Sequence, residues 1–160
     1  MTPITNSSLP RAFDTIVYGG LTLGALDCIA ATVIYGWMRG VPPLRIWQGV
    51  ASGLIGAGAR EGGWNSGALG LTLHFVIALI WATAFFAMAY VLPALASKPF
   101  IVGPLYGIFV FWFMQLVVLP LSNLPVKPKF TVTGVVTGIL IHMICVGPPP
   151  VFFASRSIHR

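Results

Sequence analysis

The sequence predicts an all-α fold: an integral-membrane four-helix bundle with an additional interfacial or re-entrant helix between spans 1 and 2. Three observations predict it. Four apolar stretches, each long enough or nearly so to cross a bilayer, fill almost all of the 160 residues. Hydrophobic residues make up 57% of the chain and charged residues only 8%, where a soluble domain carries roughly a quarter charged residues. Glycines recur at three- and four-residue spacings inside the stretches, the pattern that lets membrane helices approach closely. A soluble core does not account for this composition, because a chain so short would expose much of its apolar surface to water. Residues 1–160 therefore read as a single transmembrane domain.

The elements follow in order. Residues 1–12 are polar, contain Pro3 and Pro10, and read as a loose tail. They lack a basic region leading to a short apolar run and a small-residue cleavage site, so no cleaved signal peptide is expected. The first span covers residues 13–37 and is ended by Arg39, Gly40, Pro42 and Pro43, which a helix does not easily cross. Residues 43–59 form a short amphipathic helix, with Leu44, Trp47, Val50 and Leu54 on one face and Arg45, Gln48 and Ser52 on another. It is too polar for a span and too apolar for a loop, which fits either an interfacial or a re-entrant helix. Gly62 and Gly63 read as a flexible joint. The second span covers 67–92 and stops at Pro93. The third covers 100–121, with Pro104 in its first turn and Pro120 at its end. The fourth covers 131–147 and meets Pro148, Pro149 and Pro150. At about 17 residues it reaches about 25 Å, slightly short of the hydrocarbon core, and Val151, Phe152 and Phe153 can extend the apolar length.

The net charge is +6, but the basic residues are scattered between apolar segments, as in loops beside anionic headgroups. No basic patch interleaves with aromatics, so nucleic acid is not an expected partner. An even number of spans puts Arg11, Lys98, Arg156 and Arg160 on one side and Arg39, Arg45, Arg60, Lys127 and Lys129 on the other, a near balance that sets no orientation by the positive-inside rule. Trp37, Trp47 and Trp64 sit near expected interfaces, as an aromatic belt would. The two cysteines, Cys28 and Cys145, fall inside apolar stretches and read as small buried hydrophobes.

Away from its ends, each span carries a single strongly polar residue: Asp27, His74, Gln115 and His142. Each lies on its span's small-residue face. Gly20 and Gly24 lead to Asp27, Gly67 and Gly70 to His74, Gly103 and Gly107 through Phe111 to Gln115, and Gly134 and Gly138 to His142. Residues so spaced share a helix face, so the four are expected to face other helices. Counted from the side of the Pro42 and Ser122 loops, His74 and Gln115 lie about five to seven residues in, and Asp27 and His142 about ten. One cluster in half of the membrane is compatible with these depths.

Ionisable groups inside spans are costly and often mark proton, ion or ligand pathways. Asp27 can accept a proton from His74 or His142, since histidine titrates near neutral pH. The alternative is a hydrogen bond that only holds the bundle together. Two histidines on different helices can also ligate haem axially, but that needs equal depth, and the count separates them by about five residues, roughly 7 Å. A metal site from Asp27, His74 and His142 with Cys28 or Cys145 matches no recognised spacing. Neither cofactor nor metal is therefore expected. The chain has no nucleophile elbow, P-loop or paired catalytic carboxylates, and Asp14 and Glu61, its other two carboxylates, lie near span ends. A hydrolase or transferase is hard to build from this inventory.

The run Gln48, Gly49, Val50, Ala51, Ser52, Gly53, Leu54, Ile55 and Gly56, with Ala68, Leu69, Gly70, His74 and Phe75, resembles a family of small uncharacterised bacterial four-span inner-membrane proteins, a domain of unknown function. Pro104 to Gly107 and Val117 to Ser122 fit the same resemblance, which covers residues 20–122. It implies a bacterial inner membrane and no particular activity. The function expected first is passage or binding of a proton, ion or small solute by a homo-oligomer, with Asp27 as central charge, His74 and His142 as titrating partners and Gln115 as an orienting hydrogen-bonder. The alternatives are an accessory subunit packing beside a partner membrane subunit in a larger complex, and a haem-bearing electron carrier.

Overall fold

The structure, a computed structural model, describes residues 9–126 and 129–158. The first eight residues of the expected tail, Lys127 and Arg160 lie outside the described residues. Among the described residues four helices are long and apolar enough to cross a membrane: span 1 (Asp14–Trp37), span 2 (Gly63–Val91), span 3 (Pro99–Leu121) and span 4 (Val132–Ile158). A connecting helix, Pro43–Ile55, lies between spans 1 and 2. No strand occurs among the described residues. These features describe an all-α bundle whose long helices suggest an integral membrane protein.

Several boundaries differ from expectation, each for a local reason. The connecting helix stops at Ile55 instead of residue 59, because Gly56 takes a left-handed φ of 68°, a conformation that favours glycine and ends a helix. Span 2 starts at Gly63, four residues early, and Gly62–Gly63 is a fixed corner. Gly63 has φ of 53°, and its carbonyl accepts hydrogen bonds from Gln48 Nε2 and Ser66 Oγ, both at 3.0 Å. Span 3 starts at Pro99, so Pro104 falls in the second turn, inside the helix.

Span 4 does not stop at Gly147 but continues to Ile158. Its backbone widens over His142–Val146, where the Gly147 N–H donates to the His142 carbonyl, five residues back, at 2.9 Å. Pro148, Pro149 and Pro150 then occupy the first turn of the continuing helix, where N–H groups have no intrahelical partner. The prolines thus pass without the loss they would cause in a helix interior. At its start, Thr131 Oγ1 accepts from the Gly134 N–H at 3.1 Å, a standard N-cap.

The core is a cluster of Leu23, Ala78, Trp81, Phe85, Tyr106, Val110 and Val146, among others, drawn from all four spans. The buried Tyr106 hydroxyl donates to the Trp81 carbonyl at 2.6 Å, tying span 3 to span 2. Val91, Phe100, Leu121 and Val132 are almost fully exposed, a distribution that suits a lipid solvent. The connecting helix packs mainly on span 2. A Cβ on Gly70 would overlap the Trp47 carbonyl, so glycine there lets the two backbones touch. Asn123 of the loop after span 3 clasps the other end, its N–H donating to the Gly53 carbonyl and its Nδ2 to the Leu54 carbonyl, each at 2.8 Å.

Candidate functional site: a cavity between the helices

Asp27, His74, Gln115 and His142 all line one cavity of about 630 Å³ between the four spans and the connecting helix. The glycine faces explain why they converge. Gly20 and Gly24 of span 1 lie against Leu79, Ala82, Phe75 and Ala78 of span 2. At the next turn this brings Asp27 Oδ2 to 3.9 Å from His74 Nδ1. The early start of span 2 removes the expected depth difference: His74 sits eleven residues in from Gly63, and Asp27 ten residues from Trp37.

On the other side of the bundle, a Cβ on Gly107 of span 3 would overlap the His142 carbonyl, so the two backbones meet at the histidine. The His142 ring packs edge-on to Phe111 at 5.3 Å between centroids. Gln115 lies in a widened turn of span 3, Met114–Val118, and His142 opens the widened turn of span 4. Such turns recur at functional sites because they re-aim side chains.

Hydrogen bonds fix which ring nitrogens carry hydrogen. The Gly24 carbonyl accepts from His74 Nε2 at 2.9 Å, and the Gly138 carbonyl accepts from His142 Nδ1 at 2.8 Å. A carbonyl only accepts. When each ring is neutral, the other nitrogens, His74 Nδ1 and His142 Nε2, therefore hold lone pairs. His74 Nδ1 then faces the Asp27 carboxylate with two acceptors across 3.9 Å, a gap that attracts a proton or another donor. Among the described residues no Lys or Arg pairs with Asp27; His74 is its ionic partner.

The rest of the lining is mostly apolar: Leu23, Ile77, Val110, Met114 and Val146 surround the polar groups. Sequence reasoning missed three contributors. Trp47, expected in an interfacial belt, lines the cavity and stacks at a tilt near His74, 5.3 Å between centroids. Trp81 lines it from span 2, and Arg45 from the connecting helix. Trp47 and Trp81 are apolar in pattern and carry no signal that separates a cavity wall from packing. Among the described residues no group of three His, Cys, Asp or Glu side chains is arranged to hold a metal ion.

Fold and site together describe an all-α bundle of helices long and apolar enough to cross a membrane, with a mostly apolar pocket that holds a few polar residues. Compared with family models, curated proteins and solved structures, the chain matches none.

Proposed function

We propose that the protein binds, and passes across the membrane, a proton or a small solute at the cavity that holds Asp27, His74, Gln115 and His142. One observation carries the reading: a carboxylate and a histidine lone pair face each other at 3.9 Å on a mostly apolar cavity wall. A proton or another donor placed between them meets an acceptor on each side. Asp27 is the central charge, His74 and His142 its proton partners, and Gln115 a hydrogen-bonder that orients the occupant.

In this reading the connecting helix is re-entrant, supported by its contact with Gly70, seven residues into span 2. It forms one wall of the cavity, where non-helical backbone beside it is sheltered by protein. The membrane is the inner membrane of a bacterium, on the strength of the sequence resemblance alone. The test is proton flux into liposomes that contain purified protein, under an imposed pH gradient. Asp27→Asn is expected to abolish the flux while leaving expression and reconstitution unchanged. Equal flux through the variant refutes the proposal.

A further inference from the structure

We propose that the cavity's occupant is a hydrophobic organic ammonium ion, a proposal that rests on the polar-site reading above and names its ligand class. The polar residues of the lining supply acceptors: the Asp27 carboxylate, and the lone pairs left on His74 Nδ1 and His142 Nε2 once their other nitrogens are bound to the Gly24 and Gly138 carbonyls. An ammonium head supplies up to three donors and one positive charge. It satisfies the gap at Asp27 and compensates a carboxylate that has no Lys or Arg partner among the described residues.

The remainder of the wall argues for an organic body. A volume of about 630 Å³ falls in the range of sites for small organic molecules. Its apolar side chains offer nothing to replace the water shell of an inorganic cation, and among the described residues no three-ligand metal group is present. Trp47 and Trp81 are in the lining, and aromatic rings attract an organic cation more than a neutral molecule of the same shape. An anion is disfavoured by Asp27. Arg45, the cation among the lining residues, is exposed, and its guanidinium donates to Gln48 Oε1 and the Arg60 carbonyl, both at 3.0 Å.

The test uses three probes of one shape: 4-phenylbutylammonium, 4-phenylbutanol and 4-phenylbutyrate. Each is titrated calorimetrically into the full-length protein in mild detergent, with empty micelles subtracted. The ammonium is expected to bind saturably at one site, at least tenfold tighter than the alcohol, with no binding of the carboxylate. Asp27→Asn is expected to lose at least tenfold in ammonium affinity while keeping the circular dichroism spectrum and Tm of the wild type, which shows that the variant is folded. Alcohol binding as tight as ammonium binding, carboxylate binding tightest, or ammonium binding unchanged in Asp27→Asn each overturns the proposal. Proton flux in liposomes separates the two readings. Asp27-dependent flux without ammonium binding leaves the polar site standing and removes this ligand class; loss of both removes both.

Discussion

Gln48 is 2% exposed and joins the connecting helix to span 2 through one side chain. Its Nε2 donates to the Gly63 carbonyl at 3.0 Å and to Ser66 Oγ at 3.3 Å, and its Oε1 accepts from Arg45 Nη1 at 3.0 Å. Replacing it should unlatch the connecting helix from the start of span 2. The size of the effect follows from what the neighbours retain. After truncation the Gly63 carbonyl still accepts from Ser66 Oγ, and Arg45 still donates to the Arg60 carbonyl. No buried carbonyl is orphaned, so the cost is three net hydrogen bonds of about 1 kcal/mol each at most, without a large desolvation penalty. Gln48→Met keeps the volume and loses only the bonds, for an expected cost of about 2 kcal/mol. Gln48→Ala adds a hole and should cost about 3–4 kcal/mol. The assay is hydrogen exchange across residues 43–55 in mild detergent. An opening made easier by about 2 kcal/mol exchanges roughly thirtyfold faster. Unchanged exchange in this segment for Gln48→Ala refutes the latch. Normal exchange in Gln48→Met with fast exchange in Gln48→Ala shows that volume, not the hydrogen bonds, holds the helix.

Two further substitutions probe the bundle around the cavity. Gly107→Ala places a Cβ on the His142 carbonyl, which is backbone and cannot rotate aside; it should destabilise by about 1–3 kcal/mol, whereas Gly49→Ala, with nothing within 4 Å of its added Cβ, should be neutral or stabilise by up to about 1 kcal/mol. Thermal unfolding of both variants followed by circular dichroism checks the contrast, and equal Tm values count against a backbone contact between spans 3 and 4. Tyr106→Phe removes the 2.6 Å bond to the Trp81 carbonyl but keeps the ring on Phe85, 5.1 Å between centroids; a loss of about 1 kcal/mol is expected in the same measurement, and an unchanged Tm means the hydroxyl contributes nothing.

The four long helices were legible because a bilayer demands about 20 apolar residues in a row, and composition alone reveals such runs. The shared cavity was legible in part, because glycine spacing marks the face that turns inward and Asp27, His74 and His142 ride on that face. The boundaries were not. Span 2 begins in the polar run Trp64, Asn65 and Ser66, which looks like loop; Gln48, fifteen residues earlier, supplies the hydrogen bond to Gly63 that fixes the corner, and a contact of that kind has no periodic signature. Span 4 passes three prolines because a widened turn precedes them, and no residue type announces such a turn. Trp47 belongs to the cavity through the closeness of Trp47 and Gly70, a tertiary fact that amphipathic pattern does not contain.

The glycine stripes bear on the choice between a self-contained site and an accessory subunit. From the sequence they serve either reading, since small residues on a membrane helix invite any neighbour to approach. In the fold most of them are occupied from within the chain, while Gly134 meets only Thr131 of its own helix cap. Gly20 meets Leu79 and Ala82, Gly24 meets Phe75, Gly103 meets Pro148, Gly107 meets the His142 backbone and Gly138 meets Phe111. Surfaces left facing outward carry large side chains such as Ile29, Ile80 and Ile101, which lipid covers as readily as protein does. The close-packing signal is therefore spent on bringing Asp27, His74, Gln115 and His142 around one cavity. On the proposed reading, specificity lies inside the bundle, where the partly buried Asp27 carboxylate would discriminate by charge, and not on its outer faces.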